Sequence, residues 1–402
     1  MPNTSPNQPN FYAPKYWPTH FFFFLMKVVA RLPYSMLIRL GEWFGLFMYK
    51  CVKQRTRIAR INIQRCFPNL PVNEQEELVR ENLISTGVGM METAMLWFGP
   101  DRQWDKHLEV IGMEHLEAAQ AEGKGGLVLA FHLTNLEVGG SLLGTQFQLG
   151  ALYRRNENPV IEHAMVEGRK RFVHPIPREA TRDMVKWIKN NGFVWYAADQ
   201  DYGRKQSIFV PFFNISTATI TATTRFAKLT KAPVIPMTQR RIGRDKVQVT
   251  LYPPLENIGQ DPDQDARAIN EFLEKYLEQY PEDYLWVHRR FKTRPNLDDP
   301  SFYPKKNKSR PVTPERYKNI LEGAEWIEEK DGVPVKLKQK NAIVYFVYQK
   351  SFLDRIRSAG KKFAQTLSDE YLDDRHFQFQ GRVRKCDHKK CELVYLEADP
   401  IE

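Results

Sequence analysis

The chain has 402 residues, which is enough for one large hydrophobic core or for one core with an appended unit. Hydrophobic residues make up 42% of it and charged residues 27%, a balance that excludes a membrane protein with many spans. The net charge of +11 favours an anionic partner, such as phospholipid head groups, nucleic acid or an acidic carrier protein.

The positive charge is concentrated at the start of the chain. Residues 1–66 hold ten Lys or Arg residues against one acidic residue, Glu42, which gives this part a charge of +9. Residues 1–19 are rich in Pro and Asn, and we expect them to be loose. Such a basic start favours contact with an anionic surface.

Residues 20–50 are dense in Phe, Leu, Met and Val. Charged residues and Pro33 interrupt them before an apolar run reaches about 18 residues, the length that marks a spanning helix. We predict a membrane-associating segment that lies in the interface or enters the bilayer partway, with the body of the protein in the cytoplasm. The alternative is a buried first helix of the core. A secretory signal is disfavoured because no small-residue cleavage site follows.

Helix and strand patterns alternate through the middle of the chain. One helix is predicted over Asn73–Trp97, with Asn73 as its N-cap and Gly99 and Pro100 as its stop. The other predicted helices are His115–Ala121, Leu136–Gln148, Arg178–Asn191 and Ala266–Gln279. The predicted strands, of which the last two form a hairpin, are Gly126–Phe131, Phe193–Ala198, Val234–Arg241 and Val247–Tyr252. This alternation indicates an α/β fold with a mixed, partly parallel sheet flanked by helices.

The composition changes after Pro295. Residues 296–314 are rich in Pro, Lys and Ser and are predicted to form a linker. Residues 315–402 are predicted to form a small appended unit with a strand at Ala342–Tyr348 and a basic helix around Arg355–Lys362. 

The cysteine content indicates a reducing compartment. Four cysteines in a chain of 402 residues are too few for a disulfide framework. The stretch Cys386–Cys391 resembles part of a metal site, but no second pair of ligands follows it. We therefore expect no metal and no cofactor.

His132 is the strongest candidate for a catalytic base. It directly follows the apolar run Gly126–Phe131, and Glu137 comes five residues later. The spacing alone is not specific, because His174 and Glu179 repeat it in a stretch interrupted by prolines. The context is more informative, since His132 closes a predicted strand and opens a predicted helix.

Two roles are open for Glu137. In the first, His132 lies on the loop and Glu137 in the first helical turn, so that the carboxylate accepts one imidazole N–H and fixes the tautomer. In the second, Thr134 and Glu137 form a capping box, in which the glutamate only bonds the Thr134 backbone N–H. No Gly-x-Ser-x-Gly nucleophile motif lies nearby. A histidine base without a Ser or Cys nucleophile points to direct activation of a hydroxyl, with no acyl-enzyme.

Four further clusters support a site. Tyr153–Asn156 and Gly168–Arg171 supply cations suited to phosphate, and Trp286–Lys292 mixes aromatic and cationic side chains. Asp199–Gly203 follows a predicted strand, where active-site residues of open α/β sheets gather. The alternative for each basic run is a solvated surface, and for Asp199 it is a simple turn.

Taken in order, these motifs resemble the late (secondary) acyltransferases of lipid A assembly, the lauroyl/myristoyl transferase type within the lysophospholipid acyltransferase superfamily. The resemblance runs from about Tyr16 to Pro295. Its motifs are Phe131–Glu137, Tyr153–Asn156, Gly168–Arg171, Ala198–Gly203 with Phe209–Phe213, and Trp286–Pro295. Each alone is weak, but five in order after a hydrophobic N-terminal segment are specific.

The resemblance implies a fold like that of the glycerol-3-phosphate and lysophospholipid acyltransferases over residues 51–296. It implies an inner-membrane enzyme whose catalytic domain faces the cytoplasm. Such an enzyme moves a fatty acyl chain from acyl carrier protein to a hydroxyl of a 3-hydroxyacyl chain on a Kdo-bearing lipid A precursor. Nucleic acid is not an expected partner. Residues 297–402 are a linker and extension that the resemblance leaves without a role.

Carried over residue by residue, His132 is the base and Glu137 its partner, with Arg169 and Asp199 as further site residues. The other predicted substrate-binding residues are Asn135, Arg154, Arg155, Asp201 and Tyr202. Two rival functions stay open. One is a basic protein that binds lipid or nucleic acid without catalysis, and the other is an acyl-thioesterase that uses the same base with water as acceptor.

Overall fold

The computed structural model describes residues 11–100, 106–296 and 298–303, together with short strands between residues 325 and 400. The chain divides into two compact units, Met1–Tyr303 and Pro304–Glu402. Each unit is described by itself.

Four helices form the N-terminal part of the first unit. They are α1 (Trp17–Val29), α2 (Tyr34–Cys51), α3 (Lys53–Cys66) and α4 (Val72–Phe98). Helices α2 and α4 approach so closely that a Cβ added at Gly45 would meet the backbone of Ile84 at 2.4 Å. Glycine is required at this contact because any side chain would push the two helices apart.

The predicted hydrophobic segment 20–50 consists of two helices, α1 and α2, because Pro33 separates them. Both helices bury one side and expose several large apolar side chains, among them Phe24, Trp43 and Phe47. Among the residues that the structure describes, no helix combines the length and the apolar character needed to cross a bilayer.

A seven-stranded sheet forms the centre of the first unit. Its strands are β1 (Leu108–Ile111), β2 (Gly126–Ala130), β3 (Leu149–Tyr153), β4 (His174–Pro177), β5 (Phe193–Ala197), β8 (Val234–Ile242) and β9 (Lys246–Leu251). They lie in the order β1-β9-β8-β2-β5-β3-β4, and only the β8–β9 pair is antiparallel. All five residues of β2 are buried, as expected of a central strand covered on both faces.

Helices cover both faces of this sheet. They are α5 (Glu114–Ala121), α6 (Leu136–Leu143), α7 (Pro159–Lys170), α8 (Thr181–Lys189), α9 (Ala222–Thr230) and α10 (Pro262–Gln279). A separate hairpin consists of β6 (Ser207–Phe212) and β7 (Ile215–Ile220). Alternate residues of β2 enter two hydrophobic clusters, Leu127 and Leu129 in one and Val128 and Ala130 in the other.

The predicted fold class is confirmed, since the sheet is mixed and mostly parallel with helices on both faces. The predicted hairpin of β8 and β9 is also confirmed. The helix predicted over Leu136–Gln148 is too long, because α6 ends at Leu143 before Gly144. Asn73 is not the N-cap of α4, which starts at Val72 after Pro71.

The patterns do not predict β3 and β4. Strand β4 contains Pro175 and Pro177, which normally argue against a strand because proline has no N–H to donate. It is tolerated here because β4 is an edge strand that pairs only with β3 in this sheet.

The second unit contains short antiparallel strands. Three form one sheet: β10 (Glu325–Lys330), β11 (Val333–Gln339) and β12 (Ala342–Tyr345). The others pair as β13 (Phe377–Phe379) with β16 (Ala398–Pro400), and β14 (Cys386–Asp387) with β15 (Lys390–Cys391). The strand predicted at Ala342–Tyr348 corresponds to β12. The predicted helix around Arg355–Lys362 lies outside the described residues.

Candidate active site

His132 and Asp199 lie at the same edge of the sheet. His132 follows β2 by two residues, and Asp199 follows β5 by two residues. The two strands are parallel neighbours in a register that pairs Ala130 with Ala197. Because the register continues past the strand ends, His132 and Asp199 come directly opposite each other.

The two side chains form a close pair. Nδ1 of His132 lies 2.8 Å from Oδ1 of Asp199, and the His132 backbone N–H lies 3.1 Å from each carboxylate oxygen. The carboxylate therefore fixes the proton on Nδ1, so that Nε2 is the nitrogen able to accept one. The His132 side chain is 19% exposed and the Asp199 side chain 1%. The pair thus has the orientation of a general base with its supporting carboxylate.

Asp199 is ionised although it is buried. Burial by itself raises the pKa of its carboxyl, but the charge and hydrogen bonds of His132 and the charge of Arg290 together bring the pKa below its ordinary value. Arg290 is fully buried, and its Nη1 donates to the Ala218 carbonyl oxygen at 2.8 Å. A permanent negative charge next to His132 stabilises the imidazolium that forms when the ring takes up a proton.

Glu137 does not contact His132 in the way that we predicted. Its Oε1 and Oε2 accept bonds of 2.7 Å from Nε and Nη2 of Arg169, and the Trp97 indole N–H donates to Oε1 at 2.8 Å. Burial raises the pKa of Glu137, but the charge and hydrogen bonds of Arg169 outweigh it, so the pKa lies below its ordinary value. The partner of His132 is therefore Asp199, and Glu137 belongs to a second, bidentate ion pair.

The capping-box alternative for Glu137 is also wrong. The Thr134 backbone N–H donates to the carbonyl oxygen of Asp283 at 2.7 Å, and the N-cap of α6 is Asn135. Asn135 is 2% exposed, and neither end of its amide has a hydrogen-bond partner in the structure. Its predicted role in substrate binding remains a prediction.

The predicted cationic residues lie near the same edge of the sheet. Arg154 and Arg155 directly follow β3, whose carboxyl end is at this edge because β3 and β5 are parallel. Both are exposed, and Arg154 lies 3.7 Å from the exposed carboxylate of Glu157. Arg178 follows β4, the next parallel strand, and was not among the predicted site residues.

The turn after Asp199 is held by Asp201. Its carboxylate accepts bonds from the Gly203 N–H at 2.9 Å, the Thr293 N–H at 2.6 Å and the Thr293 hydroxyl at 2.7 Å. These internal bonds disfavour the predicted direct contact of Asp201 with substrate. Tyr202 is partly buried, and burial followed by the negative charge of Asp199 raises its pKa.

His288 is a further histidine near the pair. Burial, followed by the neighbouring charge of His132, lowers the pKa of His288 from an ordinary 6.5 to about 4, so the ring is neutral at neutral pH. Its segment is held close by Leu285, whose N–H donates to the His132 carbonyl oxygen at 2.9 Å. The sequence shows His288 only as part of an aromatic and cationic cluster. Its place beside His132 depends on a contact between residues distant in the chain.

The site contains a histidine with the geometry of a general base, and it contains cationic side chains that can bind an anionic substrate. Among the residues that the structure describes, no cluster of His, Cys, Asp and Glu could hold a metal ion. The chemistry that the arrangement supports directly is proton removal by Nε2 of His132 next to a permanently charged carboxylate.

Comparison with known proteins gives the chain its family. Residues 5–293 match the family described as bacterial lipid A biosynthesis acyltransferase. The chain is 37% identical over 286 residues to a lipid A biosynthesis lauroyltransferase of Escherichia coli K12, covering 70% of this chain and 94% of the relative. It is 36% identical over 288 residues to a lipid A biosynthesis palmitoleoyltransferase of the same organism, and the match covers 71% of this chain and 94% of that relative.

A third relative is a lipid A biosynthesis acyltransferase of Haemophilus influenzae, 36% identical over 304 residues, which cover 74% of this chain and 97% of the relative. These matches confirm the resemblance that the five motifs indicate. The chain belongs to the bacterial lipid A biosynthesis acyltransferase family and is an acyltransferase.

Proposed function

We propose that this acyltransferase takes a fatty acyl chain from the thioester of acyl carrier protein. The acceptor is a hydroxyl of a 3-hydroxyacyl chain on a Kdo-bearing lipid A precursor. The family supplies the reaction class and the lipid A-type acceptor. The observation that carries the mechanism is the His132–Asp199 pair, in which the carboxylate bonds Nδ1 and leaves Nε2 as the base.

The proposed reaction proceeds in two proton transfers around one acyl transfer. Nε2 of His132 removes the proton of the acceptor hydroxyl as its oxygen attacks the thioester carbonyl carbon. The tetrahedral intermediate collapses with cleavage of the C–S bond, and the imidazolium returns its proton to the leaving thiolate. No acyl-enzyme forms, because the hydroxyl attacks directly. Asp199 stabilises the imidazolium throughout.

Charge at the edge of the sheet supports anionic substrates. Arg154, Arg155 and Arg178 lie just beyond the carboxyl ends of β3 and β4, on the side where His132 and Asp199 lie. Guanidinium groups are suited to phosphate and carboxylate, which occur on a carrier's prosthetic arm and on a Kdo-bearing lipid A precursor. Glu137 of α6 and Arg169 of α7 form a largely buried ion pair, and we assign them to holding these two helices in place.

Two adjacent features support association with a membrane. Exposed aromatic side chains lie on α1 and α2, with Trp43 76% and Phe24 61% exposed. Helix α3 follows at once, and its charged side chains are all basic. A protein bound at a membrane surface typically has apolar residues that enter the interface. Next to them it has cations that contact anionic head groups. We propose the cytoplasmic face of the inner membrane as the location.

The experiment that tests this function compares the purified wild type with His132→Ala and His174→Ala. His174 is a matched control because it has the same spacing to a glutamate but is exposed and stacks on Trp187 with ring centroids 4.7 Å apart. Each protein receives acyl carrier protein thioester and lipid A precursor, and mass spectrometry follows the product. We expect transfer by the wild type and His174→Ala, and none by His132→Ala with unchanged folding and membrane binding.

Full transfer by His132→Ala would show that His132 is not the general base. No transfer by the wild type would show that the proposed donor and acceptor are wrong. A reaction without lipid acceptor shows whether the same base hydrolyses the thioester. Release of free fatty acid at the rate of transfer would identify a thioesterase instead.

A further inference from the structure

Two arginines from distant parts of the chain stack on one aromatic ring. Cζ of Arg65, in α3, lies 3.3 Å from the ring centroid of Phe302, and Cζ of Arg294 lies 3.8 Å from the same centroid. The two guanidinium carbons are therefore at most about 7 Å apart, close enough to repel each other. Accordingly, burial and then the charge of Arg294 lower the pKa of Arg65.

The arginine pair, Arg65 and Arg294, has no carboxylate partner among the residues that the structure describes. Nε and Nη1 of Arg294 are buried and have no hydrogen-bond partner. The neighbouring arginine Arg289 stacks on Tyr303 at 5.7 Å, and its Nη2 is also buried without a partner. Protein interiors seldom leave so many charged donors unpaired, so this cluster needs an explanation.

Two carboxylates of the same region are already occupied. Asp201 accepts three bonds from Thr293 and Gly203, and Asp299 accepts bonds from the Asn296 N–H and amide at 2.9 and 3.2 Å. Neither is paired with a guanidinium. Among the described residues, no carboxylate is therefore paired with the cluster, and its positive charge can attract an anionic ligand.

The arginine pair is tied to the candidate active site. Arg294 follows Thr293, which holds Asp201, and Asp201 is two residues from Asp199. Arg204, from the loop after Asp201, fixes the backbone of Arg294 with a bond of 2.7 Å to its carbonyl oxygen. On the other side, α3 is fixed by Asn62, whose amide donates to the His288 carbonyl oxygen at 2.8 Å.

We propose that Arg65 and Arg294 form a binding site for a substrate phosphate group. The guanidinium carbons lie 3.3 and 3.8 Å from one centroid, so the two groups cover opposite faces of the Phe302 ring. A phosphate at the edge of this ring can accept an N–H from each of them, and guanidinium donors suit phosphate oxygens. Arg65 is exposed and Arg294 is partly exposed, and since Nε and Nη1 of Arg294 are buried, its Nη2 is the donor that a phosphate would meet. The assignment of the phosphate to a substrate rests on the proposed function.

The phosphate has two possible sources in that reaction, the donor's prosthetic arm and the lipid acceptor. The experiment uses full-length enzyme and two matched pairs of substrates. The donors are acyl-phosphopantetheine and acyl-pantetheine, and the acceptors are the lipid A precursor with and without its phosphates. kcat/KM is measured for the wild type, Arg65→Gln, Arg294→Gln and a control, Arg225→Gln. Arg225 is exposed and lies 5.3 Å from the ring centroid of its neighbour Phe226.

For one of the two substrates, we expect removal of the phosphate to lower kcat/KM of the wild type and the control at least tenfold. Arg65→Gln and Arg294→Gln should already show that loss with the intact substrate and little further loss without phosphate. The substrate affected identifies the source. If both variants keep the wild-type preference for the phosphate-bearing donor and acceptor, the arginines only pack on Phe302 and the proposal is wrong.

A second measurement does not depend on catalysis. Inorganic phosphate at about 20 mM should raise the Tm of the wild type above that in chloride of equal ionic strength. The increase should persist in Arg225→Gln and vanish in both Arg65→Gln and Arg294→Gln, and an equal increase in all four proteins would overturn the site. Because this result stands even if the wild type transfers no acyl chain, failure of the site and failure of the proposed function are distinguishable.

Discussion

Nδ1 of His132 and Oδ1 of Asp199 lie 2.8 Å apart although 67 positions separate the two residues in the chain. The parallel register of β2 and β5 brings them together, because each residue follows its strand by two positions. Glu137, only five positions from His132, bonds Arg169 and Trp97 instead. The carboxylate that supports the base is therefore chosen by strand pairing and not by nearness in sequence.

The Asp199→Asn variant tests this relationship. The amide keeps the shape of the side chain but removes the negative charge, so the imidazole is no longer held in the correct tautomer. Loss of the carboxylate from such a pair lowers kcat by about 10⁴-fold in serine proteases, and we expect a fall of about 10²- to 10⁴-fold here. Steady-state acyl transfer measures kcat, and Asp183→Asn, an exposed site on α8, is the control. A kcat within threefold of the wild type would exclude Asp199 from the mechanism.

The Glu137→Gln variant tests whether Glu137 stabilises the fold rather than supporting His132 as the base. The Arg169 guanidinium would lose its buried counter-charge, and breaking one partner of such a pair costs about 3–5 kcal/mol of unfolding free energy. Urea unfolding measures the change. Glu167→Gln, in an exposed pair with Lys170 on α7, should have little effect. We also expect Glu137→Gln to lower kcat less than Asp199→Asn does, and the opposite order would restore Glu137 as the partner of His132.

His288 gives the protein a defined pH dependence of stability. Its pKa is about 4 in the folded chain and 6.5 ordinarily, so between these values the unfolded chain binds more protons. The contribution of His288 to the free energy of unfolding is therefore fully present above pH 6.5 and is lost as the pH falls towards 4. We expect the stability advantage of the wild type over His288→Asn to shrink by about 2 kcal/mol between about pH 7.5 and about pH 5.

Other groups also change the stability with pH, and the window of Asp283 overlaps that of His288, so the comparison needs the variant. The lowered pKa values of Glu137 and Asp199 stabilise the fold at higher pH. This contribution is lost only as the pH falls below their ordinary pKa values of 4.5 and 3.8. Burial raises the pKa of Asp283 from 3.8 to about 6, which stabilises the fold as the pH falls through that interval. Urea unfolding of wild type, His288→Asn and the exposed control His174→Asn separates these effects. A wild-type advantage independent of pH would show that His288 titrates normally.

The exposed apolar side chains of α1 and α2 should control membrane binding. Each large side chain that enters the apolar region contributes about 1.5–3 kcal/mol. The double variant Phe24→Glu, Trp43→Glu should therefore reduce binding to anionic vesicles by at least about tenfold in a sedimentation assay. Val72→Glu is the control, because Val72 is 75% exposed but lies at the start of α4. Equal binding by all three proteins would place the membrane contact elsewhere.

The sequence by itself determined the fold class and the family, and it identified His132 as the candidate base. Buried runs such as Gly126–Ala130 indicate central strands because strands covered on both faces must be apolar throughout. His132 is recognisable because its position, at the end of such a run, is a local property. Strand β4 could not be predicted, since its prolines are acceptable only at the edge of a sheet, and the edge is known only when all strands are placed.

Only the tertiary structure decided which charged groups meet. The pairing of His132 with Asp199, of Glu137 with Arg169 and of Arg65 with Arg294 joins residues that are tens to hundreds of positions apart. Each pairing depends on strand order or helix packing, to which the whole hydrophobic core contributes. Local sequence shows which residues can carry charge, but the burial and register that make one carboxylate the partner of His132 are properties of the folded chain.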